Sequence, residues 1–387
     1  MSPVIQTLAD LVRINSVNSA YDGGPGEREL ATYVQRFFEM RGIQTEEQEV
    51  FPDRPNILAR LPGKDSSRCI ILEAHMDTVS VTGMTIPPFD PVIRDGCLYG
   101  RGSCDTKAGL ATMMHAVASL KAEEIIPPCD VLLAAVVDEE FSYRGVVRLC
   151  EGLKADAAIV AEPTELRAVI ATKGVLRFRI TVHGKAAHSS KPHLGSNAIS
   201  HMARIINAIE SDNQKLASKT HPLLGSGTCN IGVIRGGVQV NFVPDHCAIE
   251  LDRRLLPGER VEDVIHHYQG LLNDLTQGQS DSADGLSSKW KAEIEEPLLL
   301  VDEALDTPAD TAVAQTAAQV LNGMNLDSTP CGVPFGCDAS KLSRARIPSI
   351  VFGPGSIDRA HTVNEFVELD QVEQAYEFHR RFLLAFT

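Results

Sequence analysis

The stretch IILEAHMDTVSV, residues 70–81, begins as an apolar run and places His75 and Asp77 on either side of one methionine. A short, nearly continuous apolar run is typical of a strand that is buried on both faces of a sheet. Two similar runs, DVLLAAVV (130–137) and DAAIVA (156–161), follow, and segments with helical periodicity separate the three. This alternation predicts an α/β domain with a mostly parallel central sheet flanked by helices.

A different pattern begins after Lys173. The segment VLRFRITVHG (175–184) alternates apolar and polar residues, as a strand with one solvated face does. A helix, two alternating strands, a second helix and a closing strand near SKWKAEI (288–294) follow in that order, which predicts an α+β domain of ferredoxin-like type. We therefore predict that residues 1–173 and 293–387 form one domain, and that 174–292 form a second domain inserted into it.

The composition argues against several classes of protein. The 387 residues are 43% hydrophobic and carry a net charge of −15, which disfavours a nucleic acid or an anionic membrane as partner. The longest apolar run, residues 131–137, is far shorter than the roughly 20 residues that span a bilayer. Nine cysteines, scattered and without a C-x-x-C pair, fit a reducing compartment. We expect a cytoplasmic protein.

Imidazoles and carboxylates follow the predicted strands or open the next helix. These residues are His75, Asp77, Asp105, Asp138, Glu139, Glu140, Glu162 and His361. Loops beyond the carboxyl ends of parallel strands meet at one edge of the sheet, so we expect these side chains to converge. Adjacent carboxylates repel one another, and divalent cations relieve that repulsion. The donor types suit zinc, with cobalt or manganese as alternatives, and predict two ions that share one carboxylate.

The first strand end illustrates the expected arrangement. His75 is predicted to be a metal ligand held by the end of its strand. Asp77, two residues later, is predicted to lie on the same side and to accept the N–H of the other ring nitrogen, which would fix the tautomer of the imidazole.

Seven segments, in order along the chain, carry a resemblance to a known family. They are EAHMDTV (73–79), LYGRGSCDTKAGLA (98–111), VVDEEFSYRG (136–145), AEPT (161–164), HGKAAHSSKPHLGSNAI (183–199), VNFVPD (240–245) and GPGSIDRAHTVNEFV (353–367). Together they resemble the dimetal metallopeptidases that include acetylornithine deacetylase, succinyl-diaminopimelate desuccinylase, aminoacylase and glutamate carboxypeptidase. The resemblance covers nearly the whole chain, and it implies that the inserted domain is a lid through which a homodimer forms.

The resemblance also implies roles for individual residues. The implied ligands are His75, Asp105 and Glu162 for the first ion, and Asp105, Glu140 and His361 for the second. Glu139 is the implied general base, with Asp77 supporting the site. The peptide bond between Asp105 and Thr106 is expected to be cis.

Further residues are assigned to the substrate. His188 matches a lid histidine that reaches the partner's site across a dimer, and Asn241 and Arg254 match lid residues that hold a substrate carboxylate. Arg254 is chosen over Arg253 because the family's arginine lies two residues after the aspartate. Gly353 and Gly355 are predicted to bring backbone amides close to a ligand, because neither carries a side chain.

The leading hypothesis is therefore a metal-dependent hydrolase of an N-acyl bond on a small amino acid, with N-acetylornithine as the first candidate substrate. A desuccinylase of succinyl-diaminopimelate and a dipeptide or glutamate carboxypeptidase are the alternatives within the enzyme class. Outside that class, the alternatives are a metal-binding protein without turnover and a structural dimer partner. The retained base Glu139 disfavours a protein without turnover.

Overall fold

A computed structural model describes residues 1–277 and 290–387 of the chain. These residues form two compact units. The first contains Met1–Ala171, Asp306–Gly332 and Cys337–Thr387, and the second contains Thr172–Leu305 and Val333–Gly336.

The amino-terminal half of the first unit alternates helices with strands. Its helices are α1 (Pro3–Arg13), α2 (Arg28–Glu39), α3 (Lys107–Ala122) and α4 (Arg144–Cys150). Its strands are β1 (Gln44–Phe51), β2 (Arg54–Leu61), β3 (Asp65–His75), β4 (Val92–Arg94), β5 (Cys97–Tyr99), β6 (Cys129–Val136), β7 (Ala157–Val160) and β8 (Val169–Thr172). The apolar runs of the sequence thus correspond to β3, β6 and β7.

The second unit contains two long helices and several strands. The helices are α5 (Ala198–Leu216) and α6 (Val261–Gln277). The strands are β9 (Gly174–His183), β10 (Ala187–His188), β11 (Thr220–His221), β12 (Gly225–Ser226), β13 (Thr228–Gly236), β14 (Phe242–Val243), β15 (His246–Leu255), β16 (Lys291–Ile294) and β17 (Leu300–Asp302).

The chain then returns to the first unit. The remaining strands are β18 (Leu305–Asp306), β19 (Cys331–Val333), β20 (Ser349–Val351) and β21 (Phe366–Glu368), and the remaining helices are α7 (Ala312–Gly323), α8 (Ala339–Arg344) and α9 (Leu369–Ala385).

The central sheet of the first unit has the strand order β1-β2-β6-β3-β7-β20-β8-β18, with β19 paired to β8. Its middle strands β6, β3, β7 and β20 are parallel to their neighbours in that group, whereas β1 and β2 pair antiparallel at one side. Nearly all residues of β6 and β7 are buried, as strands covered on both faces require. The predicted α/β fold with a mostly parallel central sheet is confirmed.

The helices of the first unit pack on this sheet through their apolar faces. In α1, Ser2 caps the amino terminus by accepting a hydrogen bond from the N–H of Ile5, and Pro3 takes a position where a helix needs no N–H. Leu8 and Leu11 of the same helix are fully buried. Among the described residues, no helix is long and apolar enough to cross a membrane.

The second unit has its own sheet and core. The sheet order is β13-β15-β9-β16, with β17 also paired to β9, and both α5 and α6 pack against its strands. Phe178 and Tyr268 lie in its core with ring centroids 5.1 Å apart. Because β16 and β17 pair with β9, this unit continues to Leu305, past the predicted end at residue 292.

Candidate metal centre

The polar residues predicted to converge lie at one edge of the central sheet. His75 is the last residue of β3, Glu139 and Glu140 follow β6, and Glu162 follows β7. The parallel register of β3 with β6 and with β7 aligns these strand ends. Asp105 lies just before α3, whose first residue is Lys107. The fold therefore delivers these side chains to the same edge, as expected for an open parallel sheet.

Two groups of side chains at this edge could each hold a metal ion. The first is His75, Asp105 and Glu162, and the second is Asp105, Glu140 and His361. Within each group the candidate donor atoms all lie within 4.8 Å of one another. Asp105 belongs to both groups, as a shared carboxylate requires.

The carboxylate of Asp105 lies between the two imidazoles. Its Oδ1 is 3.1 Å from Nε2 of His75, and its Oδ2 is 3.3 Å from Nε2 of His361. Nε2 of His361 is also 3.0 Å from Oε1 of Glu140, and Nε2 of His75 is 3.9 Å from Oε1 of Glu162. Each imidazole thus points one nitrogen at carboxylate oxygens, which is the placement of a metal-ligating histidine.

Burial and charge make this a site that favours cations. Burial, followed by repulsion from Asp105, raises the pKa of Glu140 to about 7 and that of Glu162 well above its usual value. Burial acts to lower the pKa of His361, but hydrogen bonds to Asp105 and Glu140 outweigh it and raise that pKa to about 11. These shifts show that the cluster disfavours further negative charge and favours positive charge. Nitrogen and oxygen donors in these surroundings fit divalent metal ions.

The partner of the second nitrogen of His75 differs from the prediction. Nδ1 lies 3.0 Å from the backbone carbonyl oxygen of Asp77, whereas the nearer carboxylate oxygen of Asp77 is 3.5 Å away. A carbonyl oxygen can only accept, so Nδ1 carries a proton, and Nε2 is the ring nitrogen left to bind a metal ion. The tautomer is the predicted one, but the backbone of Asp77 fixes it because the chain turns directly after the strand.

The carboxylate of Asp77 instead holds the turn after β6. Its Oδ1 accepts the backbone N–H of Glu139 at 3.1 Å, and its Oδ2 accepts that of Glu140 at 3.0 Å. Asn18 donates to Oδ2 of Asp77 at 2.8 Å and to Oδ1 of Asp138 at 3.0 Å. Asp77, Asn18 and Asp138 are all buried. These buried hydrogen bonds therefore fix the turn that carries Glu139, the candidate base.

Sequence reasoning missed three members of this network, namely Asn18, Arg54 and Glu27. Asn18 lies 59 residues before Asp77, in an amino-terminal loop without a motif of its own. Arg54 pairs with Asp138 at 3.1 Å and with Glu27 at 2.6 Å, and Glu27 is fully buried. The sequence carried one signal for this cluster, namely the position of Asp138 directly before the two glutamates.

Glu139, the candidate general base, lies beside the two candidate metal groups in sequence, directly before Glu140. It is half-buried and follows the end of β6, and burial raises the pKa of its carboxyl well above the usual value, with repulsion from Asp338 and Glu140 adding to the shift. The peptide bond between Asp105 and Thr106 is cis, as the resemblance implies, and Oγ1 of Thr106 donates to the carbonyl of Ala161 at 3.1 Å.

The two glycines near residue 354 pack closely within the first unit. A Cβ on Gly353 would lie 2.6 Å from the backbone oxygen of Glu162, so the absence of a side chain allows this strand end to approach a candidate ligand segment. The N–H of Gly353 donates to Oγ1 of Thr164 at 3.1 Å, and the N–H of Gly355 donates to Oε1 of Gln371 at 2.9 Å. Substrate contact through these amides stays a prediction, and it would have to replace existing bonds.

The remaining predicted substrate residues lie in the second unit. His188 of β10 and Asn241, just before β14, are brought together because these strands pair and the N–H of Ser189 donates to the carbonyl of Asn241 at 3.0 Å. Both side chains are exposed. Arg254 is partly exposed and pairs with Asp252 at 2.7 Å, whereas Arg253 points into the unit and is 2% exposed. Of the two arginines, Arg254 is therefore the one that can reach a ligand.

The sequence matches the model of the peptidase family M20/M25/M40 over residues 71–385. The chain belongs to this family. The match includes all the candidate metal ligands, and it confirms the predicted resemblance. Enzymes of this metal-dependent family are amidohydrolases and metallopeptidases, so the prediction of an enzyme of that class is confirmed as well.

Individual relatives and solved structures agree with this assignment. The chain is 31% identical to an acetylornithine deacetylase of Myxococcus xanthus over 355 residues, covering 89% of this chain and 88% of the relative. It is 27% identical to a probable succinyl-diaminopimelate desuccinylase of Staphylococcus aureus strain MSSA476 over 398 residues, covering 95% and 93%. The structure of aminopeptidase PepT from Bacillus cereus ATCC 10987 superimposes with a TM-score of 0.78 at 22% identity, covering 99% of this chain and 97% of the other. The names of these three proteins are those of a deacetylase, a desuccinylase and an aminopeptidase.

Proposed function

We propose that this protein removes the acyl group from an N-acetylated amino acid, with N-acetylornithine as the first candidate substrate. The observation that carries the proposal is the pair of metal-binding groups that share Asp105, next to the half-buried carboxyl of Glu139. The supporting relative is the acetylornithine deacetylase that is 31% identical to this chain.

Two divalent ions, zinc or else cobalt or manganese, would occupy the two groups. The proposed ligands are His75, Asp105 and Glu162 for one ion, and Asp105, Glu140 and His361 for the other. Such ions polarise an amide carbonyl and the water that attacks it. The role of the chain's own ligands is to hold this charge at the edge of the sheet.

Glu139 is the proposed general base and acid. Its carboxylate would take a proton from the attacking water and later deliver it to the amine as the carbon–nitrogen bond breaks. Asp77 supports this role, because it holds the backbone N–H of Glu139 at 3.1 Å and so limits the positions that the side chain can reach.

His188, Asn241 and Arg254 are proposed to act from the second unit. Asn241 and Arg254 would hold the carboxylate of the substrate, and the guanidinium of Arg254 is suited to that task because its fork matches a carboxylate. His188 would stabilise the developing oxyanion in the partner's site. Its Nδ1 is 2.8 Å from Oγ of Ser190, which leaves Nε2 for this contact.

We also propose that the second unit is the lid and forms the homodimer. Strand β13 lies at the end of the sheet order, so one side of it has no sheet partner within the described part of the unit. Val238, Val240 and Phe242, which follow it, are exposed apolar residues. An unpaired edge with apolar neighbours suits pairing with a second copy. We also propose that the protein is located in the cytoplasm.

The acetyl group is preferred over succinyl because a second carboxylate on the substrate would need a cation. Within LYGRGSCDTKAGLA, the motif that carries Asp105, the two basic side chains are Arg101 and Lys107. Arg101 pairs with Glu365 at 2.7 Å, and Nζ of Lys107 donates to the carbonyls of Leu11 and Ile14 at 3.0 and 2.8 Å. Both cations are engaged inside the first unit and do not offer a pocket for a succinyl carboxylate.

The second candidate is succinyl-diaminopimelate, supported by the 27% identical desuccinylase, with a dipeptide or an N-acyl glutamate as further alternatives. The test is a comparison of kcat/KM for N-acetylornithine, N-succinyl-diaminopimelate, a dipeptide and an N-acyl glutamate with metal-loaded protein. We expect N-acetylornithine to lead. A tenfold preference for any of the others, about 1.4 kcal/mol in transition-state stabilisation, would replace the proposed substrate.

A further inference from the structure

We propose that Glu365 is a positioning residue of the metal centre, whose buried carboxylate fixes the segment that carries Asp105. The inference rests on the proposed function, because it concerns the same centre. Glu365 is fully buried, and it lies 260 residues from Asp105 along the chain.

The two oxygens of Glu365 bind the segment before Asp105 at three backbone positions. Oε1 accepts the N–H of Asp105 at 3.0 Å and that of Cys104 at 2.9 Å. Oε2 accepts the N–H of Gly102 at 3.0 Å. Hydrogen bonds from N–H groups to a charged acceptor are stronger than neutral ones, and three of them on one carboxylate leave this segment little freedom. The backbone from which the Asp105 side chain projects is thereby set before any ligand arrives.

The strand pairing explains how Glu365 reaches this segment. Strand β21 pairs antiparallel with β5, so that Phe366 lies opposite Tyr99. The pairing continues one step further, where the N–H of Gly100 donates to the carbonyl of Glu365 at 3.1 Å. Glu365 therefore lies directly beside the start of the segment that leads from β5 to Asp105.

Arg101 extends the same anchor to two neighbouring loops. Its Nη1 donates to Oε2 of Glu365 at 2.7 Å, and the guanidinium is 3% exposed. Its Nη2 donates to the carbonyls of Ser80, at 3.0 Å, and Thr362, at 3.4 Å. Ser80 follows the loop of His75, and Thr362 is adjacent to His361. The pair of Glu365 and Arg101 thus ties together the three segments that carry His75, Asp105 and His361.

A role for Glu365 as a further metal ligand is inconsistent with these contacts. Each of its oxygens already accepts two hydrogen bonds, and Arg101 balances its charge. Glu365 acts through the ligands and not on the ion. Outer partners of this kind typically change metal affinity by about 10- to 100-fold when they are removed.

The test compares Glu365→Gln with the wild-type protein and with Asp358→Asn. The glutamine keeps the size of the side chain but places an N–H₂ group where an acceptor is needed. Asp358 is an exposed carboxylate in the same loop, so its replacement makes the same change of charge without touching the segment of Asp105. Metal-free protein is titrated with Co²⁺, and both the affinity and the visible absorption spectrum of the bound ion are recorded.

We expect Glu365→Gln to bind Co²⁺ at least about tenfold more weakly than the wild type, with an altered spectrum, and Asp358→Asn to match the wild type. A folded Glu365→Gln protein with wild-type affinity and spectrum would overturn the inference. If the wild type itself bound no Co²⁺, the proposed function would fall instead, and the two failures are therefore distinguishable.

If Glu365→Gln does not fold, amide hydrogen exchange of the wild-type protein tests whether Glu365 fixes the segment. We expect the amides of Gly102, Cys104 and Asp105 to be protected in metal-free protein, since Glu365 holds them without the ions. Rapid exchange of these amides until metal is added would show that the ions order the segment, and the inference would then be wrong.

Discussion

The carboxylate of Asp77 accepts the backbone N–H of Glu139 at 3.1 Å, although the two residues come from different strand ends. The same carboxylate accepts the N–H of Glu140, while the carbonyl of Asp77 receives Nδ1 of His75. Asp77 therefore has two effects. Its backbone orients the imidazole of His75, a candidate ligand, and its side chain fixes the turn that carries Glu139, the candidate base.

Asp77→Asn should lower kcat/KM by about 10- to 100-fold, because an N–H₂ group replaces one of the two acceptors beneath the turn. The contact between the carbonyl of Asp77 and His75 does not involve the side chain, so the imidazole should keep its position. A crystal structure of the metal-loaded variant, with kinetics, checks both points. Asp95→Asn, at an exposed aspartate, is the control. A displaced His75 with an unchanged turn would show that the side chain of Asp77 orients the imidazole and does not hold the turn.

Glu139→Ala and Glu140→Ala should have different effects. Loss of the base should leave folding and metal content nearly intact while turnover falls by about 10²- to 10⁴-fold. Loss of Glu140 removes a carboxylate oxygen that lies 3.0 Å from Nε2 of His361, so this variant should lose one of the two ions. Metal analysis and kcat of both variants decide the matter, and exchanged effects would mean that the two roles are exchanged.

A mixture of two inactive chains tests whether His188 acts across a dimer. Chains with His188→Ala and chains with Glu139→Ala should regain part of the activity when they form mixed dimers, because one site then has both residues. The measurement is the activity of mixed dimers separated by two affinity tags. Mixed dimers without activity would place His188 in its own subunit or outside the reaction.

The acid stability of the first unit should depend on His379. Burial lowers the pKa of this residue to about 3, and its ring lies edge-on to Phe352 and Phe378. Neither ring nitrogen has a hydrogen-bond partner among the residues that the structure describes. The folded protein keeps His379 neutral, while the unfolded chain takes up a proton below about pH 6.5. The free energy of unfolding therefore decreases as the pH falls from about 6.5 towards 3, by up to about 1.4 kcal/mol per pH unit.

Urea unfolding of wild type and His379→Leu at pH 7.5 and 5.5 measures this contribution. The variant should lose less stability between the two pH values, by about 1 kcal/mol. His266→Leu, at an exposed histidine, is the control and should keep the wild-type dependence. Parallel losses in wild type and His379→Leu would contradict the expectation.

The sequence predicts which side chains meet at the sheet edge where one strand end decides the position of a side chain. The apolar runs fix β3, β6 and β7, and parallel strands bring His75, Glu140 and Glu162 to the same edge without further information. The choice of Arg254 over Arg253 rests on the family's spacing, and the structure adds that alternate residues of β15 face the core, which buries Arg253 and leaves Arg254 partly exposed. These features depend on the period of a strand, which is visible in a single sequence.

Contacts between distant segments were not predictable in this way. The partner of Nδ1 of His75 depends on how the chain turns at Asp77, and the contact of Asn18 with Asp77 spans 59 residues. Glu365 lies within a quoted motif, but only the pairing of β21 with β5 shows that it reaches Asp105. Such contacts are set by tertiary packing and leave no periodic pattern in the sequence.

The central claim is that two ions share Asp105, and metal analysis of the wild type and Asp105→Asn tests it most directly. Protein is freed of metal by chelation, loaded with Zn²⁺, passed through a desalting column and assayed for zinc and for hydrolysis of N-acetylornithine. We expect two zinc ions per wild-type chain, activity that is lost on chelation and restored by zinc, and a marked loss of zinc in Asp105→Asn. A folded wild-type protein that retains no more than a trace of zinc would contradict it.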